Sequence, residues 1–115
     1  MHSMGADGQV LANLRKGVLQ YCVLALMRDA DYYGHDLARK LAQSGLMGGT
    51  GTIYPLLARL RRNGLVDTTW KESTSGPPRR YYRLTKSGKS ALAEFTAEWD
   101  LLKKTVDVTM NGTLK

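Results

Sequence analysis

Arg59 and Arg62 stand one helical turn apart, with Thr50, Thr52 and Tyr54 a little upstream. Guanidinium and hydroxyl groups in that pattern suit hydrogen bonding to phosphate oxygens, and an arginine fork also matches a guanine edge. Arg61 lies between the two arginines, nearer the apolar side of the same segment. A second cationic group is Lys71, Arg79 and Arg80, with Arg79 the strongest candidate of the three. A third is Arg15 and Lys16, placed to hold flanking nucleic-acid backbone. None of this is catalytic chemistry. The histidines are His2 and His35, and Cys22 has no companion at metal-ligand spacing. No Gly-rich loop with a phosphate-binding lysine follows a strand, and no nucleophile–base pair stands out. No enzymatic activity, metal or cofactor is expected, and His35 reads as a residue that caps or packs near its helix.

The composition points the same way. The chain has 115 residues, enough for one domain with a core but little to spare. It carries 17 Lys and Arg against 10 Asp and Glu, a net charge of +7. That balance favours a polyanionic partner. The lone cysteine, Cys22, cannot close an intramolecular disulfide, so a reduced, cytoplasmic setting is expected. No apolar run approaches a membrane span, and the start lacks a signal-peptide layout, so no membrane partner is expected.

The elements that must position these side chains follow from periodicity. Ile53, Leu56, Leu57 and Leu60 recur at helical spacing, so Thr50 to Asn63 reads as a short helix, greasy on one side and arginine-bearing on the other. Thr50 or Thr52 caps its start, Pro55 falls early, and Asn63-Gly64 ends it. Two helices precede it. One runs from about Val10 to Arg28 with Leu11, Leu14, Val18, Cys22 and Ala25 inward, widened by Leu19, Leu24 and Leu26. After a turn at Asp29–Tyr33, the other runs from Gly34 to Ser44, burying Leu37, Ala38 and Leu41. Gly45 to Gly49 is a connector. Leu65–Lys71 and Arg79–Leu84 read as strands joined by the polar loop Glu72–Pro78. Tyr81 and Tyr82 alternate, so one should be core and the other exposed. Thr85 then caps a long helix that ends near Thr109.

This order is mainly α with a small β wing: a winged helix-turn-helix plus a C-terminal dimerisation helix. Residues 1–9 form a flexible arm, 10–84 the DNA-binding domain, 85–109 the dimerisation helix and 110–115 a tail. The third helix of such a fold enters the major groove, and the wing reaches phosphates or a minor groove. Solvated hairpin charges are the alternative for Lys71, Arg79 and Arg80. On the last helix Leu92, Phe95, Trp99, Leu102 and Val106 form a heptad seam suited to a two-fold homodimer, the alternative being a helix folded back on the first. Such a dimer would present two recognition helices to a palindromic site on double-stranded DNA.

Several blocks of residues resemble the PadR family of transcriptional regulators. They are Tyr33-Gly34; Gly51-Thr52-Ile53-Tyr54-Pro55-Leu56-Leu57 with Arg59-Leu60 and Asn63-Gly64-Leu65-Val66; and Gly76-Pro77-Pro78-Arg79-Arg80-Tyr81-Tyr82-Arg83-Leu84-Thr85-Lys86-Ser87-Gly88. The single helix after the wing is similar to the family's smaller branch. The resemblance implies a homodimeric repressor that leaves DNA when a small molecule binds. It implies DNA contact by Tyr54, whose alternative is packing against the wing. It also implies stacking of a flat aromatic effector on Trp99, walled by Phe95 and Leu102, where the alternative is simple packing. A winged-helix module for protein–protein contact, without specific DNA binding, is the competing function.

Overall fold

The computed structural model describes residues 10, 14–46 and 53–112. Its elements are α1 (Leu19–Leu26), β1 (Tyr32–Tyr33), α2 (Gly34–Gln43), α3 (Ile53–Arg62), β2 (Val66–Ser73), β3 (Gly76–Leu84) and α4 (Lys86–Asn111). The architecture is the winged helix-turn-helix with a C-terminal helix that the sequence predicts.

One apolar cluster organises it. Val23, Leu24 and Met27 of the first helical region meet Leu37, Ala38 and Leu41 of α2, with Ile53, Leu56, Leu57 and Leu60 of α3 between them and the sheet. Each fully buried aliphatic chain here contributes roughly 1.5–3 kcal/mol, so the α3 stripe alone fixes which way its arginines face. The end of α3 is a Schellman arrangement: Leu65 N–H donates to the Leu60 carbonyl and Gly64 N–H to that of Arg61, with Gly64 at φ 75°. Asp36 in the first turn of α2 complements the helix dipole.

The structure corrects the first helix. A turn at Gly17–Val18 interrupts it, and α1 ends at Leu26 rather than Arg28. A glycine costs a helix about 1 kcal/mol relative to alanine, which makes Gly17 the weak point. The inward face also differs: Val23, Leu24 and Met27 are buried, Val18, Cys22 and Ala25 only half-buried, and Leu14 is exposed. Leu11 lies outside the described residues.

The wing differs too. The stretch expected as a turn contains β1, so the sheet has three strands in the order β1-β3-β2, all antiparallel. The expected loop shrinks to a tight turn at Thr74–Ser75 because β2 and β3 extend to Ser73 and Gly76. Pro77 and Pro78 sit in β3 beyond the end of β1, where the strand has a neighbour on one side only and their missing N–H groups are tolerated.

Thr85 caps α4 as expected, its hydroxyl oxygen accepting from Gly88 N–H at 3.0 Å. The helix continues to Asn111, past Thr109, and ends at Gly112 in the left-handed region. At 26 residues it is about 39 Å long. Its beginning packs on the domain and the remainder projects, which gives the molecule extents of 59 × 34 × 21 Å.

Candidate nucleic-acid interface

On α3, residues advance about 100° each, so burying Ile53, Leu56, Leu57 and Leu60 turns Arg62, Pro55 and Ala58 directly outward. Tyr54 and Arg61 flank that line on one side and Arg59 on the other. All three arginines are exposed. The flank with Arg61 faces the wing: Ala58, Arg61, Arg62, Arg80 and Tyr82 line a cleft of about 370 Å³. Arg61, the weakest arginine in the sequence reading, is therefore part of the cationic cluster, and Arg59 lies away from it. Tyr54 is 49% exposed, and its ring edge would lie 3.0 Å from a Cβ on Gly34, with the Tyr82 ring 3.5 Å from the same point. The ring thus closes over the start of α2, beside the sheet, with half its surface left to solvent.

The two faces of the wing follow from its register. Cross-strand partners share a face, and faces alternate along a strand. Val66, Thr68 and Trp70 of β2 face the same way as Leu84, Tyr82 and Arg80 of β3, their partners. This is the core side, and Arg80 continues it toward α3. Arg79, paired with Lys71, lies on the opposite face. There its guanidinium sits over the Tyr33 ring at 4.9 Å, while the Lys71 ammonium lies over Tyr81 at 4.7 Å and 3.5 Å from Asp31. Tyr82 is core, as alternation requires, but Tyr81 is half-buried under these groups rather than exposed. Arg80, rather than the expected Arg79, is the wing arginine that lies on the same side as the cleft with α3. Counting back by two from buried Tyr82 would have selected it.

Arg80 has a further peculiarity. Its guanidinium lies over the Trp70 ring at 5.1 Å, and its Nε is buried without a hydrogen-bond partner. No ion pair among the described residues includes Arg59, Arg61, Arg62, Arg79 or Arg80. Three guanidinium groups around one cleft repel each other, and an anion placed among them relieves that repulsion.

The remaining predicted residues fall elsewhere. Thr50 and Thr52 lie outside the described residues. Arg15 and Lys16 precede the Gly17–Val18 turn rather than lying on α1. Their neighbours Leu14, Gly17 and Val18 line a groove of about 580 Å³ with Trp99, Leu102 and Val106 of α4, and neither Arg15 nor Lys16 lines the α3–wing cleft.

The heptad seam divides. Leu92 is 6% exposed in the core of its own chain, and Phe95 stacks on Tyr21 of α1 with ring centroids 4.2 Å apart. Those two positions are occupied within the chain, so the folded-back arrangement describes the first half of α4. Trp99 stacks on Phe95 at 5.9 Å, extending the column, yet stays 36% exposed. Leu102 and Val106 are exposed, as are Leu101, Val108 and Met110.

Other chemistry is sparse. Burial pushes the Cys22 thiol up from its ordinary value, so it stays protonated near neutral pH and is a poor nucleophile. His35 is exposed beside Tyr33, and no side chain caps α2. Among the described residues no cluster of His, Cys, Asp or Glu could hold a metal ion, and no helix is long and apolar enough to cross a membrane.

Known proteins share this fold. The family model described as the transcriptional regulator PadR-like family matches residues 23–94. A transcriptional regulator of Mycobacterium tuberculosis is 30% identical over 84 residues, covering 73% of this chain and 78% of that protein. The crystal structure of a PadR family transcriptional regulator from Eggerthella lenta is 34% identical with a TM-score of 0.80, covering 94% of this chain and 97% of that one. A PadR-like transcriptional regulator from Bacillus cereus is 36% identical with a TM-score of 0.77, covering 85% and 96% respectively.

Proposed function

The chain belongs to the PadR-like family of transcriptional regulators, and from that premise we propose that it is a sequence-specific reader of double-stranded DNA, working as a homodimeric repressor in the cytoplasm. The observation that carries the reading is the α3–wing cleft, where Arg61, Arg62 and Arg80 converge around Ala58 without a carboxylate among the described ion pairs. A helix with a cationic outer face seats in a major groove, and the small Ala58 lets its backbone come close. Tyr54 adds a hydroxyl at the start of the helix, where phosphate contacts concentrate. Thr50 and Thr52 belong to the same approach, and Arg59 grips backbone on the far flank. Residues 10–84 form the reading unit in this account.

The dimer is supported by the free half of α4. A helix exposing Leu102, Val106 and Met110 to water is marginal alone and gains by pairing. In a two-fold pair, the half of α4 from Trp99 to Val106 meets its counterpart, and a palindromic operator follows from the symmetry. The effector is a flat aromatic or hydrophobic molecule. Trp99 offers it a ring face beside the Leu14–Leu102 groove, with Phe95 stacked behind.

Titration of a labelled operator duplex against rising salt tests the DNA reading. Binding should fall steeply with salt, with a slope of about −0.9 for each phosphate contacted. Arg62→Ala should weaken operator binding about tenfold while leaving the melting temperature unchanged. An Arg62→Ala protein that binds as tightly as the unmutated chain would remove α3 from the interface. A protein–protein module would bind no duplex in preference to another.

A further inference from the structure

Along the chain, α3 and α4 are separated by the whole wing hairpin, yet one contact cuts across it. The Thr85 hydroxyl donates to the Gly64 carbonyl at 2.7 Å, 21 positions back, and the Thr85 N–H donates to the Leu65 carbonyl at 3.1 Å. One turn into α4, buried Gly88 packs against that same Leu65 carbonyl oxygen, where a Cβ would collide. Gly64 is itself the residue whose positive φ of 75° closes α3. The end of the helix that carries Arg61 and Arg62 therefore rests directly on the start of α4. Neither Thr85 nor Gly88 lines the α3–wing cleft. A second point also holds α4, the stack of Phe95 on Tyr21 at 4.2 Å. Two fixed points define an axis, so the angle between α3 and α4 is set within each chain.

We infer that this joint, Gly64 and Leu65 against Thr85 and Gly88, sets the spacing between the two DNA half-sites that a dimer occupies at once. The inference rests on the dimeric DNA reading above and deepens it. In a two-fold pair held along the outer half of α4, the separation of the two α3 helices depends on the angle at which each meets its own α4. The lever is long, because from Gly88 to Val106 the helix runs about 27 Å. A tilt of about 5° at its base moves the far end by about 2 Å, against about 3.4 Å per base pair of duplex. One base pair more or less between half-sites also turns the second by about 35° around the duplex axis. A stiff joint follows neither change, so engagement of both half-sites together is lost. The two hydrogen bonds of Thr85 supply the stiffness. Gly88 supplies the angle, since a residue without a Cβ lets α4 come this close to the carbonyl. Both are positioning residues that act through α3 rather than by touching DNA.

The test uses the full chain and duplexes that carry the half-sites obtained by selection from random sequence. Their central spacer is lengthened or shortened one base pair at a time, and a further duplex carries a single half-site. The unmutated protein should bind the selected spacing about tenfold more tightly than a spacer altered by one base pair. Gly88→Ala forces α4 off the Leu65 carbonyl, and should shift the preferred spacer or flatten the profile to within about twofold. Its affinity for the single half-site should stay within about twofold of the unmutated chain's. Lost stability alone would weaken binding to every duplex by one factor and leave the profile unmoved. If Gly88→Ala does not fold by circular dichroism, Thr85→Val decides in its place: without the hydroxyl it should flatten the profile, and Thr85→Ser should restore it. A folded deciding variant with an unchanged profile, or an unmutated protein indifferent to the spacer, overturns the inference while leaving half-site recognition by α3 intact. Failure of the DNA reading looks different: no half-site would be enriched, and both readings would fall together.

Discussion

At the scale of single residues, the arginines separate by the face they occupy rather than by charge. Arg61, Arg62 and Arg80 share the cleft, whereas Arg59 and Arg79 do not. Arg80→Ala should therefore weaken operator binding about tenfold, and Arg79→Ala no more than about twofold. Fluorescence anisotropy at fixed salt reads both, and equal losses would erase the distinction. Gly88 has a different role. It is buried against the residue that precedes β2, where a Cβ would collide with the Leu65 carbonyl oxygen and crowd Leu84. Gly88→Ala should lower stability by about 1–3 kcal/mol, seen as a reduced urea midpoint with an unchanged slope. The buried stripe of α3 was legible because four aliphatic residues at helical spacing admit one arrangement. Arg80 was less so, since two adjacent arginines look alike until a buried neighbour such as Tyr82 fixes the phase of the strand.

At the scale of elements, the contact that joins the end of α3 to the start of α4 is Thr85. Its hydroxyl donates to the Gly64 carbonyl at 2.7 Å and accepts from Gly88 N–H, while its own N–H donates to the Leu65 carbonyl at 3.1 Å. One residue thus ties the end of α3 to the start of α4. Thr85→Ala should cost about 1 kcal/mol and Thr85→Ser much less, measured by chemical denaturation. A Ser variant as unstable as the Ala variant would show that the methyl group, not the hydroxyl, matters. The helix order, the α3 cap and the α4 cap all follow from local signals that tertiary packing reinforces. β1 could not be read, because two residues carry no periodicity and pair only through a strand some fifty positions away. The turn at Thr74–Ser75 was also hidden, since Pro77 and Pro78 argue for a loop unless the strand edge beside them is known to be open.

At the scale of the whole molecule, α4 serves two masters. Its first turns are fixed to the domain by Leu92 and by the Tyr21–Phe95–Trp99 column, and beyond them Leu102 and Val106 are exposed along the groove they share with Leu14 and Val18. The heptad pattern runs through both halves, so spacing alone could not reveal where the chain's own core ends. If the outer half pairs, substituting Leu102→Asp together with Val106→Asp should yield a folded monomer in sedimentation, and DNA affinity should fall with it because the half-sites are no longer linked. A doubly substituted protein that remains a dimer would move the interface elsewhere.

Whether the Arg61–Arg62–Arg80 cleft reads operator DNA in a two-fold pair is decided by selection from random duplexes. The unmutated protein should enrich a palindromic site whose half-sites lie about one helical turn, or a multiple of it, apart. That enrichment should disappear when the selection is repeated with Arg62→Ala. Recovery of no sequence preference, at a salt concentration where the unmutated protein still binds duplex, would contradict that reading.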